Sequence, residues 1–280
     1  MRNRFAIIAA LGLLACMSGP LQGQDLAQEY AAERPISGIN SVWLEELTWM
    51  EVRDAIRDGT TTVIISTGGI EQNGPYLATG KHNYILEQAC EGIARKLGNA
   101  LCAPIVKFVP EGDIDVPSGM MRYSGSISLR DETYAALLTD IATSLATHGF
   151  TDVVFIGDSG GNVSGMEAVA TALDAGSTGT RFHHISEYYR SYSESFDFIE
   201  GEFGVTEPTS DGFHDDIVIT SQMMTGDLET VRYRQRLEAG NASINGISIV
   251  DIHELRMLGS AILQFRVNET VRAINAATGG

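Results

Sequence analysis

Apolar positions along the chain follow two periods that alternate. Consecutive β-branched or apolar runs at 62–66, 100–109 and 152–157 predict buried strands, and Arg181 to Ser186 predicts a fourth. Between them apolar residues recur every three or four positions. Ile85, Ala89, Ile93, Ala94 and Leu97 form one such stripe, closed by Gly98, and others cover 131–148, 163–175 and 251–276. Thr48-Trp49-Met50-Glu51 has capping-box spacing and predicts a helix to Asp58, ended by Gly59. A shorter helix is expected behind the acids of Asp211–Asp216, running through Met224. Residues 25–40 read as an extended lead-in, and 187–210 as aromatic and acidic without a period. Alternating strands and helices, with no repeat or linker, predict one α/β domain over 25–280 with a mainly parallel sheet.

The first 24 residues read differently. Arg2 and Arg4 precede an apolar run, Phe5 to Ala15, that is too short to span a bilayer. This is the pattern of an export signal, with cleavage after Gly23. Leu13-Leu14-Ala15-Cys16 also resembles a lipoprotein box, in which Cys16 becomes a lipid anchor. Either way the expected address is outside the cytoplasm, in a bacterial periplasm, with no transmembrane span. A net charge of −17 argues against nucleic acid or an anionic membrane as partner. Export permits a disulfide. Cys90 lies in an apolar helical stripe and Cys102 opens an apolar strand, so the pair reads as two buried thiols.

Chemistry-bearing side chains gather just past two strand ends, where open α/β sheets hold ligands. After the first strand come Glu71, Asn73 and His82; after the third come Asp158 and Ser159, then Gly160-Gly161-Asn162 at a helix start. Backbone N–H groups at such a start can face an anion or oxyanion. His214, Asp215 and Asp216 form a third cluster. A long loop from Pro110 to Ser126 carries Glu111, Asp113, Asp115, Arg122 and Tyr123, and loops of this length are often functional or simply solvated. Mixed carboxylate and imidazole sets suit Zn²⁺ or Mn²⁺, which acidify a bound water. Asp158, Ser159 or Asn162 could instead cap the helix that follows. A Ser159–His214–Asp hydrolase is a further arrangement of the same residues. His148, His183, His184 and His253 read as structural or exposed.

These motifs carry a family resemblance. Gly69-Ile70-Glu71-Gln72-Asn73-Gly74-Pro75-Tyr76-Leu77 resembles the creatininase signature G-S-x-E-Q-H-G-P-H-L-P-L-x-T-D. Gly157-Asp158-Ser159-Gly160-Gly161-Asn162 is similar to its N-G-H-G-G-N, Tyr123 to Leu129 to F-P-G-T-x-S-L, and His214 to Ser221 to H-A-G-E-x-E-T-S. The matches come in family order over about residues 45–265. The resemblance implies a three-layer α/β/α sandwich, a homo-oligomer, and metal-dependent hydrolysis of a small amide or cyclic amide. It places Glu71 on a retained metal ligand. Asn73 and Ser159 stand where the family has His, His82 where it has Asp, and Ile219 or Gly161 where it has Glu. The expectation is therefore a rebuilt site with one Zn²⁺ or Mn²⁺ per chain. Glu71, His82, Asp158, His214 and Asp216 would be its donors, and the first four the catalytic set. Asn73, Ser159, Gly160, Gly161, Asn162 and Tyr123 would face a small-molecule substrate. The alternative is a metal-free binding protein or inactive relative on the same fold.

Overall fold

The computed structural model describes residues 26–210 and 213–279. The expected leader with Cys16, and Asp211 and Gly212, lie outside the described residues. Residues 26–37 belong to a unit of their own. It contains a short helix, α1 (Leu26–Ala31), where the sequence reading expects extended chain.

The unit that begins at Gly38 alternates helices and strands. In order these are α2 (Trp49–Arg57), β1 (Thr62–Thr67), α3 (Lys81–Leu97), β2 (Ala100–Cys102), α4 (Asp131–Thr147), β3 (Asp152–Gly157), α5 (Val163–Gly176) and β4 (Arg181–His184). There follow α6 (Glu187–Phe203), α7 (Ile217–Met224), α8 (Tyr233–Glu238), the hairpin β5 (Ser243–Ile244) and β6 (Ile247–Ser248), and α9 (Ile252–Thr278). The main sheet is parallel throughout, in the order β2-β1-β3-β4. Thr62 pairs with Asp152 and Thr67 with Gly157, so β1 and β3 end side by side.

Both faces of this sheet are covered, which is why its central strands read as unbroken apolar runs. Val63, Ile65, Val153 and Phe155 face one way, against Tyr134 and Leu138 of α4. Ile64, Val154 and Ile156 face the other, against Leu86 and Ile93 of α3 and Val267 and Val271 of α9. The result is the three-layer α/β/α arrangement that the family resemblance implies. Beyond the second face, α7 packs on α9 through Ile217, Val218 and Met223 against Leu255, Leu258 and Ile262.

Three local expectations are corrected. The second strand stops at Cys102, because Pro104 lacks a ladder donor; beyond it Val106 makes a single bridge to Thr67 of β1, and Val109 bridges to Ser128 on the far side of the long loop. Residues 187–203 form a helix, α6, whose inward face is Tyr188, Ser191, Ser195 and Ile199. Two of those four are serines, so no apolar stripe announces it. Their hydroxyls bond back to Tyr188 O at 2.6 Å and Ser191 O at 2.7 Å. Finally, Cys90 of α3 and Cys102 of β2 are joined in a disulfide rather than left as thiols. A helical stripe and the strand after it, packed face to face, bring the two sulfurs together.

Candidate active site

The loop between β1 and α3 is held by its own amides. Asn83 donates to Gly69 O at 2.9 Å and accepts from Gly69 N at 3.4 Å, pinning the helix start to the strand end. A Cβ at Gly68 would stand 2.0 Å from Asn83 Oδ1, so only glycine fits there. Asn73 donates to Glu71 O and Ala78 O, at 2.9 and 3.2 Å, and closes the loop on itself. These clamps turn Glu71 and the first residues of α3 inward. Lys81, His82 and Asn83 are all buried, an unusual start for a helix.

His82 is the centre of what results. Its Nε2 lies 2.7 Å from Glu71 Oε1 and its Nδ1 lies 2.8 Å from Asp158 Oδ2. Asp158, delivered by the end of β3, also accepts from Arg266 of α9, at 2.6 Å to Oδ1. Arg266 is wholly buried, with its guanidinium 4.3 Å above the Tyr188 ring. The Lys81 ammonium lies 3.5 Å from Glu71 Oε1 and donates to His214 O at 3.2 Å. His214 Nδ1 lies 3.4 Å from the same Glu71 oxygen.

The charges follow from this geometry. Burial alone would raise the Glu71 carboxyl, but bonds to His214 and His82 and the charges of His82 and Lys81 outweigh it. They hold Glu71 far below the usual carboxylate range. Burial likewise opposes ionisation of Asp158, and Arg266 and His82 overcome it, so Asp158 is also held ionised. Lys81 is lowered from the usual ammonium value by burial, against the pull of Glu71, Asp216 and Asp158. Glu111 goes the other way. Burial first, and then the Glu71 carboxylate it faces, push it up to about 9, so it carries a proton at neutral pH. Its Oε1 is buried without a hydrogen-bond partner.

Above these groups opens a cavity of about 620 Å³, in the range of small-molecule sites. Glu71, His82, Asp158 and His214, expected together, do meet there, and Ser159, Gly160 and Gly161 line the same wall. A Cβ at Gly161 would stand 2.6 Å from Pro110 O, so the close approach of the Pro110 loop requires glycine there. Other expected residues point elsewhere. Asp216 accepts from Tyr192 Oη at 2.6 Å and caps α7 through Ile219 N at 2.9 Å. Asn73 serves its own loop. Asn162 donates to Thr67 O, Thr67 Oγ1 and Gly68 O at 2.8–3.2 Å, tying the ends of β1 and β3. Tyr123 is half exposed on the long loop, outside the cavity lining.

Three residues that the sequence reading does not assign to the site are Lys81, Glu111 and Arg266. Lys81 had a signal, being one of three lysines in the chain and adjacent to His82. Glu111 stood in the long loop among other acids. Arg266 had none, since it lies mid-helix 108 positions from the aspartate it meets.

A divalent ion needs several donor atoms turned toward one point, and the candidate donors here are turned toward protein partners instead. Both nitrogens of His82 lie within hydrogen-bond distance of a carboxylate oxygen, so each already has a protein partner. One Asp158 oxygen takes Arg266 and the other takes His82. Asp216 is committed to Tyr192 and the α7 cap. Among the described residues no three His, Cys, Asp or Glu side chains are grouped as a metal would require. The set expected from the sequence therefore meets in space without presenting metal-binding atoms.

Comparison with known proteins agrees with this architecture. The model of a family described as Creatininase: Creatinine amidohydrolase matches residues 45–274. A creatinine amidohydrolase of Pseudomonas putida is 22% identical over 173 residues, covering 62% of this chain and 65% of that protein. A 3-dehydro-scyllo-inosose hydrolase of Thermotoga maritima is 23% identical over 129 residues, covering 46% of this chain and 38% of that protein. In each case the match spans less than two-thirds of the relative. A solved structure of creatininase superposes with a TM-score of 0.64 at 20% identity, covering 85% of this chain and 98% of that one. A creatininase described as Mn superposes at 0.63 and a mutant of Zn-Zn type at 0.62, each at 20% identity and 85% of this chain, covering 98% and 99% of theirs.

Proposed function

The chain belongs to the creatininase family, and from that premise we propose that it is an exported hydrolase of a small amide or cyclic amide. The observation that carries this reading is the buried cluster lining the cavity, in which His82, His214 and Lys81 gather about one Glu71 oxygen while Glu111 lines the same cavity with its Oε1 unpartnered; these surroundings hold Glu71 low and push Glu111 up. Two carboxyl groups driven apart in this way divide the roles of base-side anion and proton donor. Glu71 stays ionised and orients His214 through Nδ1, as a carboxylate orients the base of a hydrolytic dyad. That leaves His214 Nε2 to take the proton of an attacking water. Glu111 gives its proton to the departing nitrogen.

No step passes through a metal, since the donors present do not fit one. The substrate class is a neutral ring or chain small enough for 620 Å³; the amidohydrolase name of the Pseudomonas putida relative supports an amide. Export to the periplasm is supported by the apolar run behind Arg2 and Arg4 and by the Cys90–Cys102 disulfide, a bond of oxidising compartments. No described helix is long and apolar enough to cross a membrane. Assembly as a homo-oligomer is part of the reading through family membership alone.

A binding protein using the same cleft is the second reading, favoured by the full commitment of His82 and Asp158 to protein partners. One experiment separates the two. Purified protein without added metal is incubated with creatinine, hydantoins, lactams and linear amides, and ring-opened or cleaved products are measured by chromatography. Turnover is expected for one class, with Glu111→Gln and His214→Asn each slower by about 10²–10⁴-fold. Saturable binding of a panel member without any product would replace hydrolysis by the binding reading.

A further inference from the structure

The cations of this cluster belong to the chain itself. Lys81, at 3% exposure, and Arg266, at 0%, are buried beside Glu71 and Asp158, and burying a charge is costly unless it is paired. Around Glu71 Oε1 stand His82 Nε2 at 2.7 Å, His214 Nδ1 at 3.4 Å and Lys81 Nζ at 3.5 Å. A zinc or manganese ion bound to that oxygen would sit roughly 2.0–2.2 Å from it. There it would meet the Lys81 ammonium, a like charge with no lone pair to offer, drawn to the same oxygen. Behind them, Arg266 meets Asp158 at 2.6 Å and also holds Ser191 and Gln222 at 3.2 Å.

We propose that Lys81, backed by Arg266, replaces the divalent metal as the fixed positive centre of this cleft, and that the protein functions without a bound metal. An ammonium has three N–H donors. Those of Lys81 meet two acceptors, Glu71 Oε1 and His214 O, and the residue lines the cavity. The third is directed to a ligand oxygen. Where the ligand is an amide, that oxygen gains negative charge as water adds to the carbonyl, and a preorganised donor stabilises it. Arg266 is a positioning residue, since it reaches only Asp158 and the interior. The carbonyl assignment rests on the hydrolase reading, whereas replacement of the metal does not.

The test uses the full chain purified without chelator or metal-affinity resin. Elemental analysis is expected to find below about one-tenth of an equivalent of Zn or Mn per chain. Calorimetric titration with Zn²⁺ alone should show no saturable site, and the melting temperature should be unchanged by saturating Zn²⁺ or by phenanthroline. Lys81→Met should lower the melting temperature, because it removes a buried counter-charge from the Glu71 carboxylate. Lys81→Arg, which keeps the charge, should recover most of that loss and keeps the comparison valid if Lys81→Met does not fold. Near one equivalent of metal in wild-type protein, or stabilisation by Zn²⁺, would overturn the proposal, as would a Lys81→Met variant as stable as wild type. Failure of the hydrolase reading has a different signature: no product from any amide, with these metal and melting results intact.

Discussion

Arg266→Met is the perturbation whose size can be worked out most directly. The guanidinium makes four bonds in the interior, to Asp158 Oδ1 at 2.6 Å, Ser191 Oγ and Gln222 Oε1 at 3.2 Å, and Tyr188 O at 3.3 Å. Methionine fills a similar volume, so the cost is electrostatic rather than a cavity. Removing one partner of a buried pair leaves an uncompensated charge and destabilises by about 3–5 kcal/mol. Against a total of roughly 5–15 kcal/mol that is a large fraction. At about 2–4 °C per kcal/mol, melting should fall by roughly 6–20 °C. Urea titration followed by circular dichroism gives the free energy, and the unchanged slope of the transition tests that the fold is retained. Adding Asp158→Asn should cost less in the Arg266→Met background than alone, by at least about 1 kcal/mol. The pH dependence has a definite sign. Asp158 is held ionised below its unfolded value, so its contribution is full above about pH 4 and is lost as pH falls below that. The gap between wild type and variant should therefore narrow on acidification. A loss below about 1 kcal/mol at pH 7, or a gap independent of pH, would refute the account of the pair.

Two other measurements reach different parts of the structure. Glu111, raised to about 9 when folded, takes up a proton on folding above the ordinary carboxylate range. Stability should fall as pH rises from about 4.5 to 9, with a slope up to roughly 1.4 kcal/mol per pH unit, and Glu111→Gln should flatten it. An identical slope in the variant would contradict the assignment. The Cys90–Cys102 bridge closes a loop with a sequence separation of 12, worth about 3 kcal/mol in chain entropy. Scanning calorimetry of Cys90→Ala/Cys102→Ala should show a melt lower by roughly 6–12 °C, and an unshifted melt would remove the bridge from the stability argument.

The sequence discloses the strands and helices wherever burial is apolar, and hides them where it is polar. β1 and β3 are legible because both faces of the sheet are covered, and α3 because Ile85, Ala89 and Ile93 recur on one side. Helix α6 is hidden because serines occupy its inward turns. The site divides along the same line. Glu71, His82 and Asp158 were legible as polar groups following strand ends, and the parallel register of β1 and β3 brings them together. Their partners were not. A side chain's occupancy depends on what faces it across the fold, and Arg266 reaches Asp158 from a helix whose own pattern speaks only of packing. The metal expectation counted donors by type, while the structure shows those donors turned toward hydrogen-bond partners.

The chained hydrogen bonds of His82 bear on how such a site can change over generations. Glu71, His82, Asp158 and Arg266 form a string in which each inner member is satisfied by two neighbours. Replacing His82 by a carboxylate would set a third negative group between Glu71 and Asp158. Replacing Arg266 would strand Asp158, and freeing Glu71 for an ion would first require moving Lys81. Each single substitution passes through a buried charge without a partner. The arrangement is thus self-locking: a version that presents these donors to an ion is reached only by several coordinated changes.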